Sequence, residues 1–146
     1  MAHYERSQHG TLTTRRISTE LRRLADGYCP LGRRDEPAVW KTVADRSGLA
    51  IEPRADLPGG SLGRLLYLSG RDTWIIQYRP GMNDEQTSRV FVHELAHWYQ
   101  RAAGSEWLCG ERETVYYYEG DPASEQHALA RRIENLIVRD RKAGTI

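Results

Sequence analysis

Apolar residues recur with two different periods along this chain, and the switches between them mark its elements. Val39, Trp40, Val43 and Ala44 follow the spacing of a helix face, and Gly48 stands where that helix would stop. Leu49 to Ile51 then reads as a short strand. Leu65 to Leu68 and Thr73 to Tyr78 are two apolar runs joined by Ser69-Gly70-Arg71-Asp72, a length that suits a hairpin. Leu57 to Ser61 is a Pro-Gly loop, and Arg79-Pro80-Gly81 closes the β section. Asn83 with Gln86 three positions on makes a capping-box pattern, which predicts a helix to about Ala103 before Gly104. Asp121-Pro122 opens a last helix that runs to about Arg139. Between these two helices, Ser105 to Gly120 is expected to be irregular and carries Tyr116, Tyr117 and Tyr118 in succession.

The start of the chain is different. Met1 to Thr14 is polar and has no period, so only one short helix is expected there, capped by Ser18, striped by Leu21 and Leu24 and ended by Gly27. Residues 1–35 therefore read as an N-terminal extension, partly irregular, and residues 36–146 as the main domain. The order helix, small sheet, helix, loop, helix is α+β.

Composition narrows the function classes. Lys+Arg 21 against Asp+Glu 20 leaves a formal charge of +1, which demands neither nucleic acid nor a membrane surface. The arginine pairs Arg15-Arg16, Arg22-Arg23 and Arg33-Arg34 have acids interspersed and read as a solvated face. No apolar run is long enough to cross a bilayer, and the polar N-terminus carries no secretory signal. The two cysteines, Cys29 and Cys109, stand far apart, so a reducing cytoplasm is the expected compartment.

One motif carries chemistry. His93-Glu94-Leu95-Ala96-His97 is an HExxH on the first long helix. Residues four apart on a helix differ by about 40° around its axis, so both imidazoles face one way and can share one metal ion. Glu94 lies to the side, placed to take a proton from water without being a ligand. Phe91, Leu95, Trp98 and Ala102 form the stripe expected to pack on the core, with the histidines roughly on the opposite side.

A catalytic zinc normally has three protein ligands, so a third is needed. Glu106, Cys109, Glu111, Glu113, Glu119, Asp121, Glu125 and His127 all follow the motif. Glu125 heads a helical row with Ala128, Leu129, Arg132 and Leu136 and is favoured, because an inward-facing acid needs a partner. His127 projects elsewhere, and Cys109 would suit a tighter zinc site.

With these residues placed, the segment from about Ala38 to Arg139 resembles the ImmA/IrrE family of small zinc metallopeptidases (the DUF955 group). The matching pieces are VWKTVADRSGL, WIIQY, HELAH and EQHA. The chain departs from the family pattern in Ser88-Arg89-Val90-Phe91-Val92 before the first histidine, in Ala96 where the family has Gly, and in Leu129 where it has Asn.

The resemblance implies a zincin-like fold, with a small, mostly antiparallel sheet packed with the HExxH helix and a following ligand-bearing helix. It implies one Zn²⁺ held by His93, His97 and Glu125, with Glu94 as general base. It also implies limited cuts in a protein or peptide substrate, by analogy a repressor-type regulator. An oxyanion donor could come from Tyr116, Tyr117 or Tyr118, and Thr73 to Tyr78 could be the edge strand on which a peptide lies. Two other functions compete. One is a non-catalytic, metal-stabilised regulatory or toxin–antitoxin-type binding module. The other is a metallohydrolase acting on something other than a peptide.

Overall fold

Pro37 sits in the first turn of a helix after Glu36, where its missing N–H costs no hydrogen bond. The same helix stops at Ser47, and Gly48 turns away with φ +88°, a conformation that favours glycine. A computed structural model describes residues 9–57, 61–68, 72–102, 109–111, 115–117 and 125–139. Its helices are α1 (His9–Tyr28), α2 (Pro37–Arg46), α3 (Asp84–Ala102) and α4 (Glu125–Glu134), the last continued by a π-helical turn, Asn135–Arg139. Its strands are β1 (Leu49–Pro53), β2 (Gly63–Leu68), β3 (Thr73–Tyr78), β4 (Cys109–Glu111) and β5 (Val115–Tyr117). The fold is α+β.

The strands form one sheet in the order β1-β3-β2-β5-β4. β2 and β3 are the expected hairpin, with Leu68 opposite Thr73 and Gly63 opposite Tyr78. β1 pairs parallel to β3, Leu49 opposite Trp74, while the β2–β5 and β4–β5 pairs are antiparallel. Alternation sends Leu49, Leu65 and Ile76 to one face, where they join the core. α2 packs on β1, and α3 packs on β2 and β3. α3 also touches α1, α2 and α4, so the helix bearing the motif is the centre of the molecule.

Three expectations change. The first helix does not begin at Ser18. It runs from His9, Ser18 lies buried inside it, and Ile17, Leu21 and Ala25 belong to the same core as Trp40 and Phe91. The polar positions concealed this, since Thr and Arg flank a stripe that only packing reveals. Ser105–Gly120 is not wholly irregular, because it contains β4 and β5. Finally, Thr73–Tyr78 is an interior strand, hydrogen-bonded to β1 on one side and β2 on the other, so it offers no free edge to a peptide.

Several contacts fix parts of this frame. Trp40 is fully buried and satisfies its indole N–H on the Arg34 carbonyl at 2.8 Å. Phe91 meets Tyr78 edge to face, ring centroids 4.9 Å apart. The Arg79 guanidinium donates to the carbonyls of Ser61, Ala55 and Leu57 at 3.1, 2.9 and 3.0 Å. That fork ties the segment leading into β2 to the end of β3, and this segment forms one wall of the cleft described next. Of the arginine pairs, Arg23, Arg33 and Arg34 are held by Glu20, Asp35 and Asp26.

Candidate metal centre

α3 starts as its sequence implies. Asn83 Oδ1 accepts from the Gln86 backbone N–H at 2.8 Å, and Asp84 and Glu85 occupy the first turn, where acids answer the helix dipole. Its middle is buried nearly all round. Phe91 and Leu95 lie on the core as the stripe required, but Val92 and Ala96 are also fully buried, and so are Glu94 and His97, at 6% and 1% exposure. The histidines do not occupy a face left open by the core. They are enclosed by a second layer, α4, that packs along α3.

The two imidazoles converge. His93 Nε2 and His97 Nε2 stand 3.1 Å apart, with ring centroids 4.7 Å apart and the planes at 78°. Two nitrogens each about 2.0–2.1 Å from a tetrahedral zinc would stand roughly 3.3 Å apart. The donor set and its spacing therefore fit that ion. On the other side of the His93 ring, Nδ1 lies 2.8 Å from Glu134 Oε2. Glu134 is in turn reached by Arg89 Nη1 at 3.4 Å, and the same Arg89 atom donates to Asn135 Oδ1 at 2.7 Å. Arg89 also pairs with Glu85 one turn earlier, at 3.5 Å.

Burial governs the charge of the site. Glu94 is pushed up from 4.5 to about 7, because its carboxylate has lost water and Glu134 repels it, although His93 pulls the other way. Burial works to lower His93, yet its hydrogen bond to Glu134 and the charges of Glu94 and Glu134 outweigh it, so His93 is raised. In zinc-depleted protein these shifts have a consequence for stability. A carboxyl held near pH 7 in the fold favours folding fully below its ordinary value and loses that contribution as pH rises through 7. For Glu94 the loss is about 3 kcal/mol. His93 acts in the same direction. Denaturant unfolding of chelator-treated protein at pH 5.0 and about pH 8 should show the fall, and Glu94→Gln should flatten it. An equal stability at both values in the wild type would contradict the burial argument.

A cleft of about 320 Å³ opens beside these groups. Ser61, Leu62 and Gly63 form one wall, His93 and Glu94 the floor, and Arg131 and Glu134 the wall from α4. Gly63 is needed for so close an approach. A Cβ there would stand 2.5 Å from Val90 Cγ1 and 3.5 Å from Glu94 Oε2, so any larger residue would push on the helix next to Glu94. The volume is at the small end for ligand sites.

The third ligand is less defined. Glu125 opens α4, the helix that packs on α3, but its side chain lies outside the described residues. His127 is on the same helix, and its side chain also lies outside them. Cys109 and Glu111 are in β4, while Glu106, Glu113, Glu119 and Asp121 lie outside the described residues. Tyr116 and Tyr117 are in β5, opposite Tyr67 and Leu66, and Tyr118 lies outside the described residues. Among the described residues no group of three His, Cys, Asp or Glu side chains converges as metal ligands would.

Glu134 is the participant that sequence reasoning missed. It sits 41 positions from His93, and nothing in its local pattern distinguishes it from a surface acid. No helix among the described residues is long and apolar enough to cross a membrane. No family model, no curated protein and no solved structure matches the chain.

Proposed function

We propose that this protein is a zinc-dependent metallopeptidase that makes limited cuts in a protein substrate. The observation that carries the proposal is the pair of imidazole nitrogens 3.1 Å apart on one helix, with the buried carboxyl of Glu94 between them in sequence and, with His93, lining the cleft. His93 and His97 would hold Zn²⁺, with Glu125 as third ligand on the strength of the resemblance. When bound, zinc supplies Lewis acidity, which makes a water more acidic and polarises a carbonyl.

The remaining chemistry belongs to the chain. Glu94, near pH 7 by burial, is poised to take a proton from the attacking water and to pass it to the leaving amine. The burial of Glu94 keeps bulk water from that proton transfer, and the Ser61–Gly63 wall of the cleft is held in place by Arg79. A repressor-type regulator in the cytoplasm is the substrate class that the family resemblance suggests.

Elemental mass spectrometry after exhaustive dialysis tests the metal half of this proposal, on wild type and Glu125→Ala. About one zinc per wild-type chain and a clear loss in the variant are expected. Cleavage of a proteome-derived peptide library, read by mass spectrometry with and without chelator, tests the peptidase half. A wild-type chain that retains no zinc would sink the proposal. Full retention in Glu125→Ala would keep the metal and move the third ligand to Cys109 or His127.

A further inference from the structure

We infer that Glu134 is the positioning residue of the metal site: by accepting a hydrogen bond from Nδ1–H it holds His93 in the one tautomer and ring orientation that present Nε2 to the metal. This rests on the zinc reading above and adds to it a residue outside the HExxH motif and outside its third ligand.

The argument begins with the ring itself. A neutral imidazole carries one proton, and whichever nitrogen lacks it is the one able to bind a metal. Glu134 Oε2, 2.8 Å from Nδ1, is an acceptor only, so the proton belongs on Nδ1. The lone pair is thereby assigned to Nε2, the nitrogen that faces His97 Nε2. A carboxylate behind a ligand histidine is the usual outer partner in zinc sites, where it fixes the ring and makes the bound nitrogen more basic.

Glu134 is not itself placed as a ligand. It lies on the side of the ring away from the two converging nitrogens, and its carboxylate is engaged by Arg89. Both members of the pair are shielded, with side-chain exposures of 15% and 16%, so the bond is not dissipated in solvent.

Arg89 supplies the support. It lies one turn before His93 on α3 and bridges to α4 through both Glu134 and Asn135, with Glu85 completing the chain from the helix N-terminus. Asn135 is where α4 passes into its π-helical turn, so the clamp grips the helix at the point where its geometry changes. The carboxylate is therefore placed by two helices together.

The test is a zinc titration of chelator-stripped protein against a chromophoric competitor, for wild type, Glu134→Gln and Glu134→Ala, with circular dichroism as the fold control. Glu134→Gln, which keeps an acceptor but not the charge, should bind zinc about 10-fold more weakly. Glu134→Ala, which keeps neither, should bind about 100-fold more weakly. Imidazole ¹⁵N shifts in the stripped proteins, read at alkaline pH where the ring is neutral, give a readout free of metal: His93 should be Nδ1-protonated in wild type and shift towards a tautomer mixture in Glu134→Ala.

Equal zinc affinity of folded wild type and Glu134→Gln would overturn the assignment. So would a change of coordination number in the visible spectrum of the cobalt-loaded Glu134→Gln, because it would make Glu134 a ligand. A wild type that binds no zinc would instead remove the metal reading itself, and the positioning role with it. Should Glu134→Ala fail to fold, Glu134→Gln alone decides the matter.

Discussion

Glu94→Gln should retain about one zinc per chain and lose peptide cleavage by about 10³-fold. The substitution keeps size and shape but removes the carboxyl in the cleft that can accept a proton from water there and release it again near neutral pH. Its effect on metal content should be small, because Glu94 lies between the two histidines in sequence and points towards Gly63. The measurement is turnover of a cleaved library peptide and zinc content in the same sample. Retained zinc with turnover within about tenfold of wild type would show that Glu94 is not the base. If wild type and variant are equally active in the cell and neither cuts any peptide, the chain is a metal-stabilised binding module instead.

His97→Ala should abolish zinc retention, from about one ion per chain to near none after dialysis. The reason is geometric. His97 is almost wholly enclosed, its Nε2 is the partner of His93 Nε2, and no other described side chain is placed to replace it. Removing a buried ring also leaves a cavity, which costs about 2–4 kcal/mol of stability. His97→Gln, which fills more of the space, separates metal loss from unfolding. A folded His97→Gln that binds zinc as tightly as wild type would refute the two-histidine site, whereas loss of zinc in a chain with native circular dichroism would support it.

Much of the fold was legible in the chain because its signals are local. The hairpin of Leu65–Leu68 and Thr73–Tyr78 follows from two apolar runs and a four-residue connection, and the two strands pair antiparallel. Asn83 caps α3 through Gln86, and Gly48 turns the chain out of α2, each by a contact within a few residues. Four-residue spacing alone puts His93 and His97 on one side of a helix, and the structure brings their nitrogens together. α1 was only half visible. Its apolar positions are thinned by Thr and Arg, so the periodic signal was weak until Ile17 and Leu21 were seen against α2 and α3.

Local pattern alone specifies a capped helix carrying two histidines and a carboxyl in the spacing that a shared metal requires, preceded by a small sheet. Those properties depend on neighbours within one or two turns. Only the tertiary structure decided the rest. β3 became an interior strand because β1, more than twenty residues earlier, pairs with it in parallel, and no local pattern specifies a strand's partner. Glu94 titrates near 7 because α4 and the Gly63 end of β2 take its water away, a matter of packing and not of residue type. Glu134 meets His93 because two helices 41 positions apart in the chain lie side by side, and a hydrogen bond reads distance in space alone.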